Sequence, residues 1–213
     1  MTPGLRNTDA SAAVSPEVDV RQTKTKPRSQ MPLLELASAE LEKIQQHQQA
    51  SSFPPACRAI LTDMEGNAAC LDCGRNSPEW AAVSYGALVC LYCSGNHRSL
   101  GVNVSTVRSI TMDHWSADEI FKMLEGGNRQ LHTFFQRHSL CLDSSTPQQQ
   151  FQSPHLTKDN IITMRYKTKA ALFYRQQLEH HVQDLKQRGP YKGRRRQQRR
   201  PIGSQTSNVE TYI

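Results

Sequence analysis

Two Cys-x2-Cys pairs, Cys70/Cys73 and Cys90/Cys93, stand sixteen residues apart, and Arg98 follows the last cysteine after four more residues. Each pair can place two thiolates on one metal ion within a single turn of backbone. Together they complete a closed tetrahedral site of the kind zinc takes in structural roles. Such a site has no open position for water or substrate, so its zinc would fold a loop-rich segment rather than do chemistry. Taken without the spacing, the same cysteines could also be two unrelated buried or bonded pairs. Arg98 is the residue whose chemistry could reach outward. Ser94-Gly95-Asn96 reads as a short, small-residue loop that the metal would anchor. A guanidinium mounted there could enter another protein's site and fork its hydrogen bonds to phosphate oxygens. Spacing alone equally allows a structural arginine, in a salt bridge or capping helix carbonyls.

The elements that must position these residues follow from periodicity. Pro54 to Met64 predicts a short helix, with Cys57, Ile60, Leu61 and Met64 on one side and Gly66-Asn67 ending it. Trp80 reads as core beside the metal. Ala87 to Leu91 predicts a strand that delivers the second pair. Val102 to Ser105 alternates, and Val107 to Ile110 offers a further strand, so three brief strands form a small sheet. Ser116-x-x-Glu119 is a capping box opening a helix that Gly126-Gly127 stops. Asn128 is placed to cap the next helix, with Leu131, Phe134 and Phe135 facing inward. Ser144 to Pro154 reads as a loop. A last helix over Lys167 to Leu185 carries Ala171, Tyr174, Leu178, Val182 and Leu185 on one stripe. The fold class expected is α+β, a small zinc-finger domain with a short three-stranded sheet surrounded by helices.

The chain has 213 residues and a formal net charge of +7. That charge is local: Lys186 to Arg200 holds eight basic residues and no acid, and the remainder is close to neutral. The finger, Gly66 to Trp115, sets Arg75, Arg98 and Arg108 against Asp72, Glu79 and Asp113. A DNA-binding finger with similar cysteine spacing needs a basic face to neutralise phosphates, so no DNA partner is expected. No run of about eighteen apolar residues suggests a membrane span. Thiolate ligands, the single cysteines Cys57 and Cys141 and the lack of a secretory signal pattern fit a reducing, cytoplasmic setting. The expected organisation is a disordered arm at 1–30, an amphipathic helix within 31–50, the finger domain at 54–185 and a basic, disordered tail at 186–213.

Cys-x2-Cys-x16-Cys-x2-Cys-x4-Arg resembles the signature of the ArfGAP family, the GTPase-activating proteins for Arf-type small GTPases. Further segments resemble it too: Glu65-Gly66-Asn67, His97-Arg98, Leu100-Gly101-Val102, Val107-Arg108-Ser109, Met112-Asp113-x-Trp115, Gly126-Gly127-Asn128 and Tyr166 to Tyr174. Asn96 and Asn103 depart from it. Val83-Ser-Tyr-Gly86 leans towards the Golgi, coatomer-linked branch. The resemblance implies one structural zinc on Cys70, Cys73, Cys90 and Cys93, and a catalytic Arg98 supplied in trans to a GTP-bound Arf-type GTPase. It implies an activator without turnover of its own, working in vesicle traffic. Trp80 would hold the arginine's loop, and Asp113 and Trp115 would brace the finger. Arg108 could contact the GTPase or form a structural ion pair. A module that binds the GTPase without catalysis is the alternative.

The basic stretch 186–200 has three readings: adsorption to anionic lipid, binding of RNA or import factors, or a solvated run with no partner. Thr211-Tyr212-Ile213 resembles a C-terminal PDZ ligand.

Overall fold

Pro32 cannot continue a helix towards the N-terminus but suits its start, and Leu33–His47 forms α1 directly after it. The computed structural model describes residues 32–141 and 158–194. The arm at 1–30, the predicted loop at 144–154, Arg195 to Arg200 and the C-terminal Thr211-Tyr212-Ile213 lie outside the described residues. After α1 come α2 (Pro55–Asp63), β1 (Trp80–Ala82), a 3-10 turn (Val83–Tyr85), β2 (Ala87–Val89) and α3 (Leu91–Ser99). β3 (Val107–Ser109), α4 (Ala117–Glu125), α5 (Asn128–Arg137), α6 (Lys158–Arg165) and α7 (Lys169–Gln187) follow.

The sheet is antiparallel, in the order β2-β1-β3, with Ala81 paired to both Leu88 and Arg108. Its pleat divides the core. Ala81 and Leu88 join an apolar layer built from α1, α2, α4 and Trp115. Ala82, Ala87 and Val89 face the other layer, which holds three of the cysteines and residues of α5, α6 and α7. The expected α+β class and three-stranded sheet are thus present. The strands differ in extent and in one member: β2 ends at Val89, with Leu91 already in α3, and β3 ends at Ser109. Val102 to Ser105 makes turns and leaves Val102 exposed, and the third strand is Trp80–Ala82 instead. A three-residue strand flanked by Pro78 and Glu79 is too short to show alternation.

Two polar residues tie the layers together. Asn128 is the first helical residue of α5, not its cap; Gly127 takes the cap position. Its buried side chain accepts from Leu88 N at 2.7 Å and donates to Leu88 O and Ala69 O at 3.0 and 2.7 Å. Its backbone N–H donates to Asn67 Oδ1, and Asn67 Nδ2 donates to Leu61 O, so the end of α2 joins the same network. Close backbone approach explains the neighbouring glycines. A Cβ on Gly126 would lie 2.6 Å from Gly86 O, and Gly127 adopts φ +100°.

α1 is part of this core rather than an appendage. Ala37, Leu41 and Ile44 are buried in the first layer, and Glu40 Oε2 accepts from the N–H groups of Ala56 and Cys57 at the start of α2. That carboxylate caps donors that Pro54 and Pro55 cannot cap themselves. The expected break between 31–50 and the domain at 54 therefore does not separate two packed bodies. The C-terminal boundary also moves. α7 runs to Gln187, and Tyr191, placed by sequence in the basic tail, is buried against Phe121 with its hydroxyl donating to Glu125 Oε1 at 2.9 Å. The basic composition of 186–194 had concealed one aromatic anchor.

Truncating a fully buried leucine removes its transfer energy and leaves a cavity. Leu41→Ala should cost about 2–5 kcal/mol in urea unfolding of the whole domain. A cost below about 0.5 kcal/mol would mean that α1 frays independently of the core.

Candidate metal centre and the arginine beside it

The first cysteine pair sits on a tight hairpin. Cys70 N donates to Arg75 O, Gly74 N donates to Cys70 O, and Ala69 bridges to Asn76. Gly74 takes φ +75° at this turn, and Leu71 N donates to Leu88 O, fixing the hairpin to β2. The second pair is the start of a helix. Cys90 is the N-cap of α3, its Sγ accepting from Cys93 N at 3.5 Å. The four sulfurs lie within 4.8 Å of one another, three of the cysteines buried and Cys73 exposed. Metal–sulfur bonds of about 2.3 Å in a tetrahedron require sulfurs roughly 3.8 Å apart, so the donor set fits one four-coordinate ion. No other group of three or more His, Cys, Asp or Glu able to hold a metal occurs among the described residues.

Because Cys90 caps α3, Arg98 is carried in the last turn of that helix, not on the loop expected at Ser94-Gly95-Asn96. Its side chain is exposed, and its guanidinium carbon stands 4.5 Å above the centre of the Trp80 ring. No carboxylate pairs with it among the described residues. A cation over an indole face is attracted by the ring quadrupole, by about 0.5–1 kcal/mol at an exposed site. Trp80 is only half-buried, so it is a platform for the arginine as well as a neighbour of the core.

His97, one residue earlier, points inward and is buried. Its ring contacts Ser105 Oγ through Nδ1 at 2.8 Å and Asp72 Oδ2 through Nε2 at 3.1 Å. Asp72 lies between the first two cysteines in sequence. Its other oxygen accepts from Tyr166 Oη at 2.6 Å and pairs with Arg165 of α6. Burial pushes this carboxyl up, but His97, then Arg165 and Tyr166, outweigh that and hold it below the usual carboxylate range. Arg165 also stacks on Phe135 and Tyr166. Sequence reasoning did not find this cluster. Asp72 and Arg165 are 93 positions apart, and the eight-residue α6 gave no periodic signal of its own.

The remaining residues singled out by sequence each bond within the domain. Arg108 Nε pairs with Glu119 Oε1 at 2.7 Å, with side chains 36% and 16% exposed. Glu119 uses its other oxygen for the α4 capping box, accepting from Ser116 N and Oγ. Asp113 Oδ2 accepts from Ser109 N at 2.6 Å, closing the turn after β3. Trp115 is fully buried, donates Nε1–H to Ser109 O and meets Phe53 edge to face. Its backbone pairs with Ala50, joining the end of α1 to this turn.

Residues 56–175 match the ArfGap family model, described as "Putative GTPase activating protein for Arf", and the chain belongs to that family. It is 41% identical over 109 residues to yeast (Saccharomyces cerevisiae) ADP-ribosylation factor GTPase-activating protein GCS1, covering 51% of this chain and 29% of that protein. It is 36% identical over 105 residues to mouse (Mus musculus) ADP-ribosylation factor GTPase-activating protein 3, covering 49% and 20%. With Arabidopsis thaliana ADP-ribosylation factor GTPase-activating protein AGD12 the identity is 42% over 80 residues, covering 37% and 23%. The chain thus spans less than a third of the length of these relatives.

Removing one partner of a buried ion pair leaves the other charge uncompensated. Asp72→Asn should therefore cost about 3–5 kcal/mol in urea unfolding under saturating metal. Adding Arg165→Met to it should recover part of that loss. If the double variant is no more stable than Asp72→Asn, the pair is not the source of the cost.

Proposed function

We propose that this chain accelerates GTP hydrolysis by a GTP-bound Arf-type small GTPase, contributing Arg98 to the GTPase's site and turning over nothing alone. One observation carries the reading. Arg98 is an exposed guanidinium with no acidic partner among the described residues, at the end of a helix whose other end is a cysteine cluster. Family membership supplies the partner class. Slow intrinsic hydrolysis reflects charge developing on the γ-phosphoryl oxygens without enough compensation. A guanidinium brought to those oxygens offers a fixed charge and a planar fork of donors. The Trp80 face limits where the arginine can point, and His97 locks the helix turn that carries it. Less of the binding energy is then spent on ordering a free side chain.

The ion proposed for Cys70, Cys73, Cys90 and Cys93 is zinc, which suits four thiolates in a closed tetrahedron and contributes folding energy. The setting proposed is the cytoplasmic face of Golgi or other intracellular membranes, in vesicle transport, where Arf-type GTPases would be met. The basic stretch 186–200 would add attraction to anionic lipid.

Purified protein should contain about one zinc per chain, and a strong chelator should abolish cooperative unfolding. Full cooperativity after complete metal loss would remove the structural role. In single-turnover GTP hydrolysis with an Arf-type GTPase on anionic liposomes, the wild type should accelerate the reaction by about 10³-fold or more. Arg98→Lys should lose most of this while retaining zinc and GTPase binding. Retained binding without acceleration by the wild type would replace the activator reading with that of a GTPase-binding scaffold.

A further inference from the structure

Several positive side chains line the face formed by α5 and the segment 188–194, with α7 as its floor. A cavity of about 530 Å³ there is lined by Arg188, Lys192 and Arg194, together with Tyr174. A second, of about 700 Å³, is lined by Arg129 and Arg137 and again by Tyr174 and Arg194. The shared residues make the two halves of one groove. Arg194 is held at the junction by donating from Nη1 to Gly126 O at 2.8 Å. Tyr191, buried under the segment, anchors that strap.

The charges in this groove are poorly balanced from within. The two acids that line it are already engaged: Glu125 with His181 and Tyr191, and Glu65 with Arg129. Arg137, Arg188 and Lys192 have no carboxylate partner among the described residues. Tyr174, itself buried, accepts from Gln130 Nε2 at 3.2 Å, and its own hydroxyl hydrogen has no acceptor among the described residues. Burial pushes this phenol up to about 12, so near neutral pH it remains a donor. The groove therefore offers several cationic donors and one neutral donor on a rigid floor, with volumes in the range of small-molecule sites.

We propose that this groove binds an anion carrying several phosphate groups, either free in solution or as the phosphorylated headgroup of a lipid. Multiple phosphates match the spread of the unpaired charges: Arg137 on one side of Arg194, Arg188 and Lys192 on the other. A single phosphate would engage only one side. The site is separate from Arg98 and does not depend on the activator reading. It goes beyond general attraction of a basic stretch to lipid, because it includes α5 residues and a buried hydroxyl.

The test uses the full chain and two probes. Binding of myo-inositol hexakisphosphate is measured by calorimetry, and binding to phosphatidylcholine vesicles containing phosphatidylinositol 4,5-bisphosphate by co-sedimentation. Vesicles carrying the same total charge as phosphatidylserine serve as reference. Arg137→Gln/Lys192→Gln should weaken binding by about 25-fold, from roughly fivefold for each charge near a phosphate surface. Lys43→Gln/Arg58→Gln, exposed on α1 and α2, removes the same charge elsewhere and should leave binding within about twofold of the wild type. Tyr174→Phe should weaken it several-fold without changing charge. Loss with the soluble probe identifies a free polyphosphate as a sufficient ligand; loss with the inositol-lipid vesicles alone identifies the headgroup. Equal weakening by the two double variants, or equal binding to phosphatidylserine vesicles, would falsify the proposal and leave only diffuse electrostatics. GTP hydrolysis assayed without membranes should be unaffected by either double variant.

Discussion

One buried carboxylate, Asp72, ties the first cysteine hairpin to the arginine-bearing helix and to the end of α6. It sits in the hairpin that supplies the first two cysteines. It reaches the inward-facing histidine of the arginine-bearing helix, and it is met by the guanidinium and phenol of Arg165 and Tyr166. A buried charge is tolerated only when its hydrogen-bonding capacity is filled. The position of α6 and the inward rotation of α3 are thus conditions for each other. The exposed arginine is a consequence of this arrangement. With His97 turned inward, the next residue on the helix must face outward, at the edge where Trp80 supplies a surface.

The metal cluster and the asparagine network divide the remaining work. A metal ion held by the cysteines would close the loop-rich segment around them. The Asn67–Asn128 network then ties that segment to α2, β2 and α5 using backbone groups that helix ends and a strand edge leave unpaired. Gly86 and Gly126 let two backbones touch where any side chain would intervene. The family match covers 56–175, yet the packed unit is larger. α1 closes the first apolar layer from the N-terminal side, and Tyr191 covers Phe121 from the C-terminal side.

Charge is sorted by the same packing. Near the cysteines, Asp72 and His97 are bound within the domain, while Arg98 lies over Trp80 with no carboxylate partner among the described residues. The unpaired cations Arg137, Arg188 and Lys192 lie instead on α5 and in the segment after α7. The proposed surface for a protein partner and the proposed surface for phosphates are built on different helices, so one small domain would have room for both.

Sequence by itself picked out the four cysteines that cluster, because two Cys-x2-Cys pairs at this spacing have few alternative uses. It also determined α2, α4 and α7, where a 3.6-residue period ends at a clear stop. Ser116 and Glu119 form the capping box their spacing predicts, and Ala171, Tyr174, Leu178 and Val182 are all buried. Only the tertiary structure decided the rest. Trp80–Ala82 became a strand because β2 and β3 flank it, a condition no three-residue pattern can announce. Asn128 left the capping role its type suggests because Leu88 and Ala69 offered it three bonds. Whether α1 joins the core, where the basic tail stops being tail, and that Asp72 meets Arg165 all depend on contacts between distant residues. Those contacts are fixed by the joint burial of two apolar layers and by the need to neutralise a carboxylate between them.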